Sequence, residues 1–282
     1  MAAMTAPALR ARKGVGPKLV MVTAYDAPTA RIADEAGVDM ILVGDSVAMV
    51  VLGYDDTLHV TVADIAHHTA AVARAKPRPL IVADLPWMSY HVSREDTVRN
   101  AAELVRAGAQ AVKLEGGRKR VPMVEALAEA EIPVMGHIGL TPQSVHTMGG
   151  FKVQGRTADA ALALLDDALA LSAAGCFALV LEGVPDAVAT LITETVSVPT
   201  IGIGAGPGCD GQVLVFHDLV GLEDRLAPKF VRRYAHLKVD ATKAVSEFAQ
   251  DVREGRFPDA TESYHLADDV AEVLGLYGAP AR

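Results

Sequence analysis

Eight apolar runs of strand length punctuate the chain, at 18–26, 40–46, 79–86, 110–117, 132–139, 177–184, 198–206 and 211–218. Their near-continuous Val, Ile and Leu content suits parallel strands covered on the outside, not half-wet strands with strict alternation. Helix signals fill the intervals. Thr61 with Asp64 and Ser93 with Asp96 are start signals, the second opening a run of Val98, Ala102 and Val105 that ends at Gly108. Leu162, Leu165 and Leu169 share one face of 158–174, which stops near Gly175. Asp186 can cap Val188–Leu191–Ile192, and Ala241, Val245, Phe248 and Val252 form a last stripe closed by Gly255. Nothing resembling a linker divides these segments. Eight β/α alternations in one domain predict a (β/α)8 TIM barrel over 18–282 with C-terminal helices. A doubly wound sheet is the structural competitor. Residues 1–17, basic and Ala-rich, are expected to be a flexible tail.

Composition narrows the function. At 282 residues and 51% hydrophobic, the chain can bury a sizeable core. A net charge of −9 argues against a nucleic-acid partner, which needs a basic face. No apolar run approaches the roughly 18 residues of a membrane span. Cys176 and Cys209 are the two cysteines, too few for a disulfide framework, so a cytoplasmic protein is expected.

The fourth run, QAVKLEGG, raises a question. Lys113 and Glu115 stand two residues apart on an otherwise apolar strand, so they share one face. Burying them there is expensive unless something needs them. In a (β/α)8 barrel the chemistry sits where the strands end, and the other strand ends are polar too: Tyr25 and Asp26, Asp45 and Ser46, Asp84, His137 and Glu182. Val43, Val82 and Val180, each two residues earlier, are expected to share the inward face. Neighbouring strands lie about 4.8 Å apart, so Asp45 and Asp84 could share one ion with Glu115 a step further away. Oxygen ligands without a His/Cys set favour Mg²⁺.

Each residue also has a plainer role. Asp45 or Asp84 alone could cap a helix, and Lys113 could be paired with Glu115 or Asp84. Glu182, on the strand opposite the second, is as well placed to cap as to act as a general base. His137 reads as a hydrogen-bonded core histidine, and His67 and His68 as surface or packing residues. GPGCDG at 206–211 matches G-x-G-x-x-G, but a strand-like run follows it, so a loop or ligand contact fits better than a dinucleotide fingerprint. The stretch 140–157 is long for a β/α connection and suits a lid or an interface.

Several stretches resemble, in order and over about 20–257, the ketopantoate hydroxymethyltransferase family: MVTAYDAPTARIADEAGVDMILVGDS, VADLPWMSY, AVKLEGG, GHIGLTPQS, GGFKVQGR, LEGVP and GIGAGPGCDGQVLVFHD. The resemblance implies a Mg²⁺-dependent (β/α)8 enzyme that commonly forms a homodecamer. It implies transfer of a one-carbon unit from 5,10-methylenetetrahydrofolate to 3-methyl-2-oxobutanoate through a metal-stabilised enolate. On matching positions, Asp45, Asp84 and Glu115 would serve the metal, and Asp45, Ser46, Asp84 and Lys113 would bind the 2-oxo acid. Glu182 would accept the proton. Gly183, where a larger residue is frequent, and Trp87, where Phe is frequent, depart from the pattern. Two other readings stand beside it: a Schiff-base aldolase using Lys113, and a non-catalytic metabolite-binding barrel.

Overall fold

The computed structural model describes residues 3–225 and 228–274. Eight strands form a closed parallel barrel: β1 Leu19–Thr23, β2 Met40–Val43, β3 Leu80–Asp84, β4 Ala111–Glu115, β5 Val134–Gly139, β6 Ala178–Glu182, β7 Thr200–Ile203 and β8 Gly211–Leu214. Each lies within its expected run. Except for β5, the strands end earlier than the runs do, as the chain turns into loops beyond them. Pairing of Leu19 with Gly211 joins β1 to β8, which removes the free edges a doubly wound sheet would keep.

Alternation sorts the strand residues. Leu19, Met21, Met40, Leu80, Val82, Ala111 and Val180 point into the barrel, whereas Ile41, Val43, Ala83, Val112 and Leu114 pack outward against helices. Val82 and Val180 face inward as expected; Val43 does not. The outer helices start as the sequence signals. Thr61 and Asp64 close a capping box on Val62–Arg74, and Ser93 accepts the Asp96 N–H ahead of Arg94–Arg106. In Ala158–Ala173 the buried side chains are Ala168, Leu171 and Ser172, while Leu162 and Leu169 are exposed. The expected leucine stripe is therefore mostly the outer face, since small residues allow the closer approach to the sheet.

Two regions depart further. Residues 6–10 are not a frayed tail: Ala6–Arg10 is a helix capped by Thr5, and its Leu9 is fully buried in the barrel interior with Leu19, Met40 and Leu80. The first residues of the strands leave an apolar end to be covered, and burying one Leu is worth about 1.5–3 kcal/mol. The second departure is the β7–β8 connection, which carries no helix. GPGCDG forms this return loop, and Asp210 anchors its end by taking the Lys13 ammonium at 2.8 Å and the Thr200 N–H at 2.9 Å.

The chain divides after Tyr234. In the second unit, from Ala235, helix Leu237–Arg253 presents Val245, Phe248 and Val252 as exposed residues, and the Phe248 ring meets Phe257 edge-on with centroids 5.2 Å apart. A short helix, Asp268–Leu274, follows. The last eight residues of the expected C-terminal helices, 275–282, lie outside the described residues.

Candidate active site at the barrel mouth

The two charges on β4 both point inward, and register explains what they meet. Asp84 pairs with Lys113 across β3–β4, Glu115 with His137 across β4–β5, and Gly139 with Glu182 across β5–β6. The inward positions near the strand ends thus form a staggered row of ionisable groups. Lys113 Nζ lies 2.9 Å from Asp84 Oδ1 and 3.4 Å from His137 Nδ1. His137 Nδ1 lies 3.2 Å from Glu115 Oε1, and its Nε2 lies 3.2 Å from Glu182 Oε2. The Asp84 and Glu182 contacts are at ion-pair distance but off hydrogen-bond alignment, so Asp84 Oδ1 and His137 Nε2 keep unused hydrogen-bonding capacity. Glu182 is the most accessible of these side chains, at 16% against 3–5% for the others.

Asp45 enters this group by another route. Since Val43 faces outward, alternation alone would not explain its inward placement. The chain turns after Gly44 into the short helix Val47–Val50, and Asp45 becomes buried, its N–H donating to Asp84 Oδ2 at 3.0 Å. Ser46, beside it, shares a 2.8 Å hydrogen bond with the Tyr25 hydroxyl. Asp26 does not join the mouth: it caps Ala27–Glu35 by accepting the Thr29 N–H at 2.8 Å. His68 holds the Tyr25 carbonyl at 2.7 Å, a packing role as expected.

Two residues not singled out in the sequence complete the shell. Gln143 is buried on a short 3-10 turn, Pro142–Ser144, and its amide touches Asp45 Oδ2 at 2.8 Å while its backbone N–H donates to Glu115 Oε2 at 3.0 Å. The Tyr90 hydroxyl donates to Gln143 Oε1 at 2.6 Å and accepts the Glu115 N–H at 3.1 Å. The stretch read as a lid or an interface thus begins as a docked part of the site. Gly139 makes that docking possible. It sits at φ +93, and a Cβ there would come within 2.2 Å of the Glu182 carbonyl. Gly183 likewise has φ +55, a backbone conformation that favours glycine.

Electrostatics follow from burial. Lys113 would lose its charge to desolvation, but Asp84, Glu115 and Asp45 outweigh that and hold it firmly as an ammonium. Burial and Lys113 oppose the charge on His137, yet Glu115 and Glu182 push it up to about 9. Burial alone would raise Glu115; His137, the hydrogen bond it makes and Lys113 instead hold it below the usual range. Asp45 is pushed well above the carboxylate range, by burial first and then by Asp84 and Glu115. Four carboxylates (Asp45, Asp84, Glu115, Glu182) face two basic side chains (Lys113, His137), and this acidic excess is what disfavours the charge on Asp45.

A closed (β/α)8 barrel that gathers buried ionisable side chains where its strands end has the architecture of a barrel enzyme. A family model described as ketopantoate hydroxymethyltransferase matches residues 3–260. The chain is 58% identical over 271 residues to 3-methyl-2-oxobutanoate hydroxymethyltransferase 2 of Bradyrhizobium diazoefficiens, covering 96% of this chain and 92% of that protein. It is 57% identical to the 3-methyl-2-oxobutanoate hydroxymethyltransferase of Oleidesulfovibrio alaskensis, over 95% of this chain and 92% of the other. The chain belongs to the ketopantoate hydroxymethyltransferase family and is an enzyme, a hydroxymethyltransferase. Among solved structures, a phosphonopyruvate hydrolase in complex with oxalate and Mg²⁺ shares the fold, with a TM-score of 0.59, 16% identity and coverage of 96% and 95% of the two chains. A 2,3-dimethylmalate lyase matches with a TM-score of 0.59, 16% identity and coverage of 98% and 95%.

Proposed function

We propose that this barrel transfers a one-carbon unit from 5,10-methylenetetrahydrofolate to 3-methyl-2-oxobutanoate, giving 2-dehydropantoate for pantothenate biosynthesis, with Mg²⁺ at Asp45 and Asp84. The observation that carries the reading is the charge imbalance at the mouth: two buried cations against four acids, one of which, Glu182, is the accessible carboxylate. A divalent cation would offset that excess. The donor set fits a hard, hydrated ion, because it consists of carboxylate oxygens and Asp84 Oδ1 is buried without an aligned hydrogen bond. Among the described residues no group of three His, Cys, Asp or Glu side chains is arranged to hold a metal ion by itself, so the proposed ion would complete its shell with waters and substrate oxygens. Both Glu115 oxygens are engaged, by His137 and by the Gln143 N–H, so Glu115 would act on the ion's water shell.

When bound, Mg²⁺ supplies Lewis-acid polarisation of the keto carbonyl. Lys113 neutralises the substrate carboxylate, and Ser46, oriented by Tyr25, donates to a substrate oxygen. Glu182 takes the proton from C3, and the electron pair left on C3 forms the bond to the folate-borne carbon. That carbon's two bonds to the folate nitrogens break, and water supplies the hydroxyl oxygen. The nitrogens take up the C3 proton and the second water proton, releasing tetrahydrofolate. Lys113 is poorly suited to Schiff-base chemistry, which needs a neutral amine; three carboxylates hold it charged. One assay tests the whole reading: hydroxymethyl transfer to 3-methyl-2-oxobutanoate with folate donor, with and without chelator. Turnover that persists at full rate after exhaustive chelation would remove the metal from the proposal, and no turnover with added Mg²⁺ would remove the reaction.

A homodecamer is proposed on the family resemblance, with the exposed Val51, Leu52 and Tyr54 as apolar surface available for contacts. A cytoplasmic location accords with the two free, buried cysteines. Among the described residues no helix is long and apolar enough to cross a membrane. Sedimentation at micromolar concentration tests the assembly; a monomer there would refute it.

A further inference from the structure

The Gln143 side chain can be oriented in one way. The Tyr90 hydroxyl accepts the Glu115 N–H, so its own hydrogen goes to Gln143 Oε1 at 2.6 Å. That assigns the amide oxygen and leaves the NH₂ group pointing the other way. Its two hydrogens go to Asp45 Oδ2 at 2.8 Å and to the Leu85 carbonyl at 3.0 Å. Both amide hydrogens and the amide oxygen are therefore used. The side chain is buried, so an amide flip would set the amide oxygen against two acceptors, Asp45 Oδ2 and the Leu85 carbonyl, and the NH₂ group against the Tyr90 hydroxyl hydrogen.

This arrangement divides the Asp45 carboxylate. Oδ2 is taken by Gln143, whereas Oδ1 makes no hydrogen bond among the described residues. The Gln143 backbone also reaches Glu115 Oε2 at 3.0 Å, so one residue grips two of the acids on the same wall. It does so from a loop turn set by Gly139 and Pro142, not from a strand.

We propose that Gln143 is a positioning residue of the cation site, which occupies one oxygen of Asp45 and so presents the other to the ion. The inference rests on the reading of Asp45 and Asp84 as a divalent-cation site. Partners of this kind around ligating carboxylates typically matter about 10–100-fold in metal affinity. Tyr90, by locking the amide, supports the same function at one remove.

The test is Mn²⁺ binding to the full-length protein without substrate, followed by electron paramagnetic resonance of the free ion. The parent, Gln143→Met, Tyr90→Phe and Asp45→Asn are compared. Gln143→Met is expected to weaken Mn²⁺ binding by about 10–100-fold. Its turnover should return toward the parent value as Mg²⁺ is raised, a rescue that a general packing defect would not show. Tyr90→Phe, which keeps the ring, should weaken Mn²⁺ by about threefold and decides the matter if the Met variant does not fold. Parental Mn²⁺ affinity in the folded Gln143→Met protein, or a loss of turnover that Mg²⁺ does not restore, overturns the role of Gln143 while Asp45→Asn still reports on the site. If the parent itself binds no Mn²⁺, the cation reading fails first and this inference falls with it.

Discussion

His137 Nε2 lies 3.2 Å from Glu182 Oε2, and the same ring reaches Glu115 with its other nitrogen at 3.2 Å. One ring therefore stands between the proposed base and the acid beside the proposed cation site. The ring lies at ion-pair distance from Glu182, whose side chain stays the most accessible of the group. Substituting Gln for Glu182 keeps shape but removes basicity, so kcat should fall by roughly 10²–10⁴-fold with keto-acid affinity largely kept. Exchange of the C3 proton of 3-methyl-2-oxobutanoate in D₂O without folate is the direct measurement. Parental exchange in Glu182→Gln would transfer the role to another group.

The Lys113–Asp84 pair is buried, so removing one partner strands the other. Lys113→Met is expected to cost about 3–5 kcal/mol at pH 8, and less in acid, where Asp84 can take up a proton. Keto-acid binding should also weaken by about 1.5–3 kcal/mol for the lost charge-assisted contact. Urea midpoints at two pH values and KM measurements check both; unchanged KM with abolished kcat would instead favour Schiff-base chemistry.

Asp45 shows the opposite sign. Its burial beside Asp84 and Glu115 disfavours its charge, so Asp45→Asn should raise Tm in chelator. Mg²⁺ is expected to raise the Tm of the parent, and the same variant should lose that increase. A Mg²⁺ shift equal to the parent's in Asp45→Asn would remove Asp45 from the cation site.

Acid stability should carry a signature of His91. Its Nδ1 is buried without a partner, and burial, aided by Arg120, lowers its pKa to about 4. The unfolded value is about 6.5, so protons bind the unfolded chain more readily between those limits. The contribution of the neutral ring is complete above about 6.5 and is lost as the pH falls toward 4. His91→Gln should flatten the acid limb of the urea midpoint against pH; an unchanged limb would show that His91 does not control it.

Much of the scaffold was legible because strand geometry is local. Near-continuous apolar runs announce covered parallel strands wherever they occur, and two-residue alternation sends Asp84, Lys113, Glu115 and Glu182 inward once Val82, Ala111 and Val180 do so. The sequence by itself therefore determined eight strands, their order and four of the ionisable groups at their ends. Tertiary structure decided the rest. Asp45 enters through a turn after an outward Val43, and Gln143 and Tyr90 arrive on loops whose direction no periodicity encodes. Leu9 is buried because the barrel end needs cover, a demand that exists only once the strands have closed. His137 looked like a core histidine because its own strand is apolar. Its charge comes from Glu115 and Glu182 on the neighbouring strands, and a pKa is set by the groups facing a side chain across space, not by those beside it along the chain.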